Sequence, residues 1–331
     1  MSTPSDNRQL TFAQAINEAM REEMRRDSSI LVIGEDVGRA GGVYKLTEGL
    51  YTEFGPERVI DTPISEAGIT GLGVGAAMTG MRPIVEIMFG DFLALVMDQL
   101  VNQAAKIHYM SGGKLRVPLV IRTTMGAGRR AAAQHSQSLY AWFSHIPGLK
   151  VVVPSTPYDA KGLLKTAIRD NSPVIYFEDK MMYRQSGPVP TDEYTIPLGA
   201  ADVKRTGADI TLIATSSMVT VALNAAEQLA ALGISAEVID PRTLTPLDEE
   251  TLVDSVKKTS RCIVIDEGYQ RFGVTAELAS VVASKAFYYL DAPVERIGGM
   301  DVPIPFSPGL EDQTIPNEET VIRLARTLVN K

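Results

Sequence analysis

Two residues of this 331-residue sequence have the type and setting for acid–base chemistry: the carboxyl of Glu66 and the imidazole of His135. Glu66 lies in DTPISEAGITGLGVGAAMTG, Asp61 to Gly80. The spacing predicts a strand over Arg58–Asp61 running into a helix, with Thr62 suited to cap it and Pro63 suited to its first position. Glu66 then falls in the first turn. Behind it come Gly68, Gly71, Gly73, Gly75 and Gly80, interleaved with Ala67, Ala76 and Ala77. Each helical glycine costs stability and is tolerated where another backbone or a ligand must come close. The residues alone also allow a plainer role for Glu66, as a carboxylate favoured by the helix dipole. His135 lies in AGRRAAAQHSQ, between strand and helix, flanked by Gln134, Ser136 and Gln137. It has no apolar face to satisfy, so the local sequence leaves a functional role and a loop-ordering role both open. Of the other two histidines, His108, late in a long helix, reads as a surface or interface residue, and His145 as structural, at a helix end where a cation suits the dipole.

Several chemistries are excluded. Gly71-x-Gly73-x-x-Ala76 imitates a dinucleotide fingerprint, but those glycines lie inside a helix rather than directly after a strand. No His-Glu-x-x-His, nucleophile elbow or P-loop occurs. The single cysteine, Cys262 in RCIVID, rules out an internal disulfide, a thiolate metal cluster and a CxxC pair, and fits a reduced cytoplasmic setting. Net charge is -8 with signs interspersed, which argues against nucleic acid or an anionic membrane as partner. No apolar run is long enough to span a bilayer, and MSTPSDNRQ carries no secretory pattern.

The elements that must position these residues alternate. Thr11–Arg26 is an amphipathic helix with Phe12, Ala15, Ile16, Ala19, Met20 and Met24 on one face. Apolar strands follow in SILVIGED, PIVEIM, PLVIRTTMG, KVVVPST and PVIYFED, the signature of a buried parallel sheet. Phe92–Met110 reads as one long helix. Its first half, FLALVM, is apolar all round and so is expected to be buried on every side; its second half gathers Asp98, Gln99, Asn102 and Gln103. Buried acids and amides need partners, so this helix and the glycine-rich one are expected at a subunit interface. Residues 185–200 hold three prolines and read as a linker. A second α/β unit follows, with strands in ITLIATS, AEVIDP, CIVIDEG and VERIGG and helices near Met218–Leu232, Asp248–Thr259 and Val274–Phe287. No cluster of acid, base and nucleophile stands out in it. At 45% apolar residues the chain can bury two cores.

Longer motifs go further. DTPISEAG, GMRPIVEIMFGDF, NQAAKIHYMSGGK, AAAQHSQS, HIPGLKVVVPSTPYDAKGLLKTAIRD and EVIDPRTLTPLD, in this order, resemble the β subunit of heterotetrameric thiamine-diphosphate enzymes. These are the first components of 2-oxoacid and acetoin dehydrogenase complexes. The resemblance runs from about Thr11 to Val329, and QAAK, YMSGGK and RAAAQHSQ are most similar to the acetoin dehydrogenases, with pyruvate dehydrogenases next. It implies an α/β fold: a transketolase-like pyrimidine-binding domain over 1–184, the linker 185–200, and a transketolase C-terminal domain over 201–331.

The resemblance also implies roles. The glutamate on the cofactor's aminopyrimidine falls on Glu66, the aromatic packed against that ring on Phe92, and the active-site histidine on His135. A carboxyl hydrogen-bonded to the far ring nitrogen favours the imino tautomer that removes the thiazolium proton. The family's diphosphate and Mg2+ motif, beginning Gly-Asp-Gly, is absent: the only Gly-Asp is Gly90-Asp91, followed by Phe92. An α subunit is therefore expected to hold Mg2+ and the diphosphate, in an α2β2 assembly that serves a dihydrolipoyl acyltransferase and its lipoyl domain. Main-chain oxygens of a structural K+ site fall on Leu119, Ala167, Ile168, Asp170 and Ser172. The competing readings are a branched-chain 2-oxoacid dehydrogenase β subunit, a thiamine-diphosphate lyase with another acceptor, and a non-catalytic docking subunit.

Overall fold

The protein, described here from a computed structural model over residues 8–330, divides into two compact units. The first runs to Met125 and resumes over Trp142–Leu198; the second takes Gly126–Ala141 and everything from Gly199 on. The first unit holds β1 (Gln9–Thr11), α1 (Phe12–Arg26), β2 (Ile30–Gly34), α2 (Leu50–Phe54), β3 (Val59–Asp61), α3 (Glu66–Met78) and β4 (Arg82–Ile87). After α4 (Ala105–Met110), β5 (Val120–Met125) and α5 (Tyr140–Ser144) come β6 (Lys150–Val152), α6 (Pro157–Arg169), β7 (Val174–Asp179) and β8 (Ser186–Pro188).

Its main sheet runs β6-β7-β5-β4-β2-β3, every one of these pairs parallel. All carboxyl ends therefore share one edge, the edge where open α/β sheets bind ligands. α1 starts where the sequence places it. The Thr11 hydroxyl accepts the Gln14 N–H at 3.2 Å, and Gln14 Oε1 accepts the Thr11 N–H at 2.8 Å, a reciprocal cap. Its apolar stripe is buried in one core with Leu163 and Leu164 of α6 and the strand residues Val32, Ile84 and Val120. The stretch after β7 is strapped down on this unit. β8 pairs antiparallel with β1, Tyr194 stacks on Tyr158 at 4.6 Å, and Glu193 pairs with Lys165 and Arg169.

α3 begins later than its sequence suggests. The Thr62 N–H is bonded to Gly34 O at 3.0 Å, which ties Thr62 to β2 just past the end of β3, and Ser65 takes the N-cap position. Ile69, Thr70, Gly73, Val74 and Ala77 face the sheet, while Gly68, Gly71, Leu72, Gly75 and Met78 are exposed. The predicted long helix is instead three pieces: a 3-10 segment over Gly90–Val96, a π segment over Asp98–Ala104, then α4. Burial on every side does not hold for this chain either, since Leu95 is 58% exposed and Asp98, Asn102 and Gln103 lie on the surface.

The second unit holds β9 (Asp202–Arg205), β10 (Ile210–Ala214), α7 (Met218–Ala231), β11 (Ala236–Asp240), β12 (Thr243–Thr245), α8 (Glu249–Thr259) and β13 (Cys262–Tyr269). α9 (Val274–Lys285), β14 (Glu295–Gly299), α10 (Pro308–Thr314) and α11 (Glu318–Val329) complete it. Its five-stranded sheet runs β14-β13-β10-β11-β9, parallel except for β9. Cys262 is fully buried in β13, and burial pushes its thiol well above the usual range.

Glycines on the two faces of α3 have opposite physics. A Cβ on Gly73 would lie 2.6 Å from Val85 Cγ2 and 3.3 Å from Leu119 Cδ1, whereas one on Gly75 would meet nothing within 4 Å. Gly73→Ala is expected to destabilise the chain by about 1–3 kcal/mol through overpacking. Gly75→Ala is expected to stabilise the isolated chain by about 0.5–1 kcal/mol through helix propensity. Denaturant melts of the two purified variants check both signs.

Candidate active site

β3 delivers Glu66 to the carboxyl edge of the first sheet. Asp61, its last residue, accepts the Gly38 N–H at 2.6 Å and so fixes the turn before α3. Pro63, Ile64 and Ser65 are exposed, Ile64 at 80%, and Glu66 is the first helical residue, half-buried. Its carboxylate has no hydrogen-bond or ion-pair partner among the described residues, an acceptor left over at the open start of a helix. Glu35, just past β2, responds to it: burial first, then the charges of Glu66 and Asp36, hold the Glu35 carboxyl above its ordinary range.

Phe92 follows the next strand. Gly90 allows the chain to turn there, because a Cβ on it would sit 3.0 Å from Thr124 O. The Phe92 N–H donates to Phe89 O at 2.9 Å, and the two rings meet edge to face, centroids 5.6 Å apart at 75°. The Phe92 side chain stays half-exposed. Glu66 and Phe92 both lie in the first unit, beyond the carboxyl ends of β3 and β4.

His135 belongs to the second unit. Its loop leaves the end of β5 with four left-handed residues in quick succession: Gly126 (φ 94), Gly128 (φ 91), Arg130 (φ 59) and Ala132 (φ 61). The last two are not glycines and each costs about 1–3 kcal/mol, so something must hold them. The Gly128 N–H donates to Glu311 Oε1 at 2.7 Å. Arg130 Nη1 reaches Glu311 Oε2 at 2.8 Å, Asp312 Oδ1 at 2.6 Å and Pro308 O at 3.2 Å. Beyond His135, the Ser138 hydroxyl donates to Glu267 and the Tyr140 hydroxyl to Asp266. Burial raises Asp266 above its ordinary range and Tyr140 far above its own, so the phenol stays a donor. These anchors were missed in the sequence. The one signal was Asp266-Glu267 near the carboxyl end of β13, the ligand edge of its sheet.

The five carbonyl positions assigned to K+ all lie in the first unit. Leu119 O accepts the Val174 N–H at 2.8 Å and Ala167 O the Asp170 N–H at 3.3 Å. Ile168 O accepts Arg82 Nε at 2.9 Å, and Asp170 O also accepts from the Arg82 guanidinium. The Ser172 N–H donates to Asp170 Oδ1 at 2.8 Å, and Lys150 pairs with the same carboxylate. Two cationic side chains already face this turn, so a monovalent ion fits only through the second lone pairs of the carbonyls. Among the described residues no group of three or more His, Cys, Asp and Glu is placed to hold a metal ion. No helix of these residues is long and apolar enough to cross a membrane.

Comparison with known proteins meets this geometry. Residues 8–186 match the transketolase pyrimidine-binding domain and residues 199–321 the transketolase C-terminal domain. The chain is 53% identical over 336 residues to the acetoin:2,6-dichlorophenolindophenol oxidoreductase subunit beta of Bacillus subtilis (strain 168), covering 98% of each. It is 49% identical to the pyruvate dehydrogenase E1 component subunit beta of Rhizobium meliloti, over 97% of this chain and 70% of that one. It is 48% identical to the 2-oxoisovalerate dehydrogenase subunit beta of Bacillus subtilis, over 96% and 98%. A solved split-gene transketolase, described as an inactive beta4 tetramer, superposes with TM-score 0.78 at 23% identity over 97% of this chain and 98% of that one. That likeness shows the fold.

The pairing of Glu35 with Glu66 can be read directly. Removing the Glu66 charge relieves the repulsion on Glu35 and makes its ionised form easier to reach. Glu66→Gln is therefore expected to lower the Glu35 titration midpoint toward the ordinary carboxyl range, as followed by 13C carboxyl NMR. An unmoved midpoint would show that burial and Asp36 set Glu35 without Glu66.

Proposed function

Because the chain belongs to the β-subunit family of 2-oxoacid and acetoin dehydrogenase first components, we propose that it acts with an α subunit as a thiamine-diphosphate-dependent oxidoreductase. The pair cleaves acetoin, or decarboxylates a 2-oxoacid such as pyruvate, and reductively acylates the lipoyl group of a dihydrolipoyl acyltransferase. The observation that carries this reading is the unpartnered Glu66 carboxylate at the open start of α3. Acetoin is favoured by the QAAK, YMSGGK and RAAAQHSQ wording and by the identity of 53% against 49% and 48%.

Thiamine diphosphate supplies the carbon nucleophile and the electron sink of the reaction. Within this chain, Glu66 would hold the pyrimidine end and share a proton with it, and Phe92 would pack against the ring. Gly90-Asp91 is spent on the 3-10 turn and no Gly-Asp-Gly follows, which supports an α subunit as holder of Mg2+ and the diphosphate. The exposed face of α3, with Gly68, Gly71 and Gly75 beside Leu72 and Met78, suits close approach by that partner in an α2β2 assembly. Reductive acylation opens the lipoyl disulfide: one sulfur takes the acyl group and the other must take a proton. His135 gives that proton, as an imidazole near neutral pH can.

Co-purified with its α partner, the Glu66→Gln subunit should keep its assembly and lose roughly 10²–10³ in kcat, the range for a preorganised polar contact. The lone wild-type chain should bind Mg2+–thiamine diphosphate at most weakly by calorimetry. Tight stoichiometric binding without the partner, or full activity of the Gln variant, would overturn the reading.

The carbonyls of Leu119, Ala167, Ile168, Asp170 and Ser172 are proposed to take K+. Support is limited to the second lone pairs of the Ala167, Ile168 and Asp170 carbonyls at the end of α6, each of which already accepts one bond. Exchanging K+ for tetramethylammonium at equal ionic strength should then lower the melting temperature of the assembly. Superimposable melting curves would remove the ion.

A further inference from the structure

We propose that Glu311 is a positioning residue for His135: with Arg130 it latches the start of the His135 loop, and the latch sets the rate of acyl transfer to the lipoyl group. This rests on the proton-donor role of His135 given above. Glu311 lies on α10, far from the loop in sequence, and its side chain is fully buried. A buried carboxylate must be paired. Both of its oxygens are spent on the loop, one on the Gly128 N–H and one on Arg130. Asp312 adds a second carboxylate to Arg130 from the exposed side.

The latch grips the most tightly wound part of the loop, the four left-handed residues between Gly126 and Ala132. Ser138 and Tyr140 close the other end on Glu267 and Asp266. His135 therefore rides on a short segment fixed at both ends. Releasing the first anchor lengthens the free segment back to the end of β5 and widens the positions open to the imidazole. A proton donor displaced by about 1 Å can lose on the order of 10²-fold in rate. The contacts of α10 with this loop fall on Gly128 and Arg130, so its effect on His135 is proposed to pass through the loop.

The test uses the assembled αβ enzyme with its cofactor. Glu311→Gln keeps an acceptor for the Gly128 N–H and removes the charge opposite Arg130. It is expected to lower kcat for acylation of a lipoyl domain roughly 10–100-fold, with KM for that domain unchanged. Trypsin should cut faster after Arg129 and Arg130 in the variant, by about tenfold, as local opening becomes easier. Arg130→Lys, which retains the charge, should lose less than Arg130→Gln. The deciding measurement is a double-mutant cycle with His135→Ala: Glu311→Gln should cost nothing further once the imidazole is gone. An equal loss in both backgrounds, or unchanged tryptic cleavage, overturns the latch. The reading of His135 itself fails differently. His135→Ala alone would then depress lipoyl acylation and reduction of an artificial electron acceptor alike, while the cycle still reports whether Glu311 acts through it.

Discussion

Arg122 is 1% exposed and holds two carboxylates at once: Glu86 through Nη1 at 2.9 Å, and Glu178 through Nε and Nη2 at 2.7 and 2.9 Å. The three residues come from β4, β5 and β7, neighbouring strands of one parallel sheet. Glu86 lies directly opposite Arg122 in the ladder, and Glu178 sits two residues beyond Tyr176, the partner of Arg122 on the other side. A slip of one residue in either pairing would turn a charge to the opposite face and leave it unpaired. Stripping one member from such a buried group costs about 3–5 kcal/mol, far more than any apolar pair in the same strands contributes to register. Tyr183 adds its hydroxyl to Glu178 at 2.8 Å, drawing the chain after β7 onto the same point. The charges thus fix where three strands end, and the ends of the strands are where Phe92 and the His135 loop begin.

Much of this was legible. The buried strands announce themselves as short apolar runs, and α1, α6 and α7 as stripes at helical spacing, because a parallel sheet covered by helices leaves no strand face for water. β9, with the sequence DVKR, escaped because it is an antiparallel edge strand with polar side chains. The start of α3 was misplaced because Thr62 has a competing bond to Gly34 across strands, which local capping rules cannot register. Phe92–Met110 was legible as helical but not as 3-10 followed by π, since hydrophobic periodicity does not separate those windings. Leu95 is exposed in the single chain, so the burial expected of it falls to a subunit interface.

The candidate site divides along the same line between near and far in sequence. Glu66 was visible because a carboxylate, a cap region and five glycines lie within twenty residues of one another. The anchors of the His135 loop were not, because Gly128 and Glu311 are 183 positions apart, and Tyr140 and Asp266 are 126. Local context could place a histidine in a loop; it could not say that the loop is pinned. Pinning turns a stretch of small residues into something with a definite shape, and lets Arg130 and Ala132 keep backbone angles that free residues of their type avoid.

The solitary Cys262, sealed inside β13, gives the chain a use in spectroscopy. Thiol-directed reagents attack the thiolate, and burial both hides this sulfur and keeps it protonated. The chain is in effect already blank to such reagents. A cysteine introduced at Gln134, which is exposed and adjacent to His135, becomes the one reactive thiol on this subunit. A fluorophore or nitroxide attached there reports how firmly the loop is held, with no native sulfur to remove first.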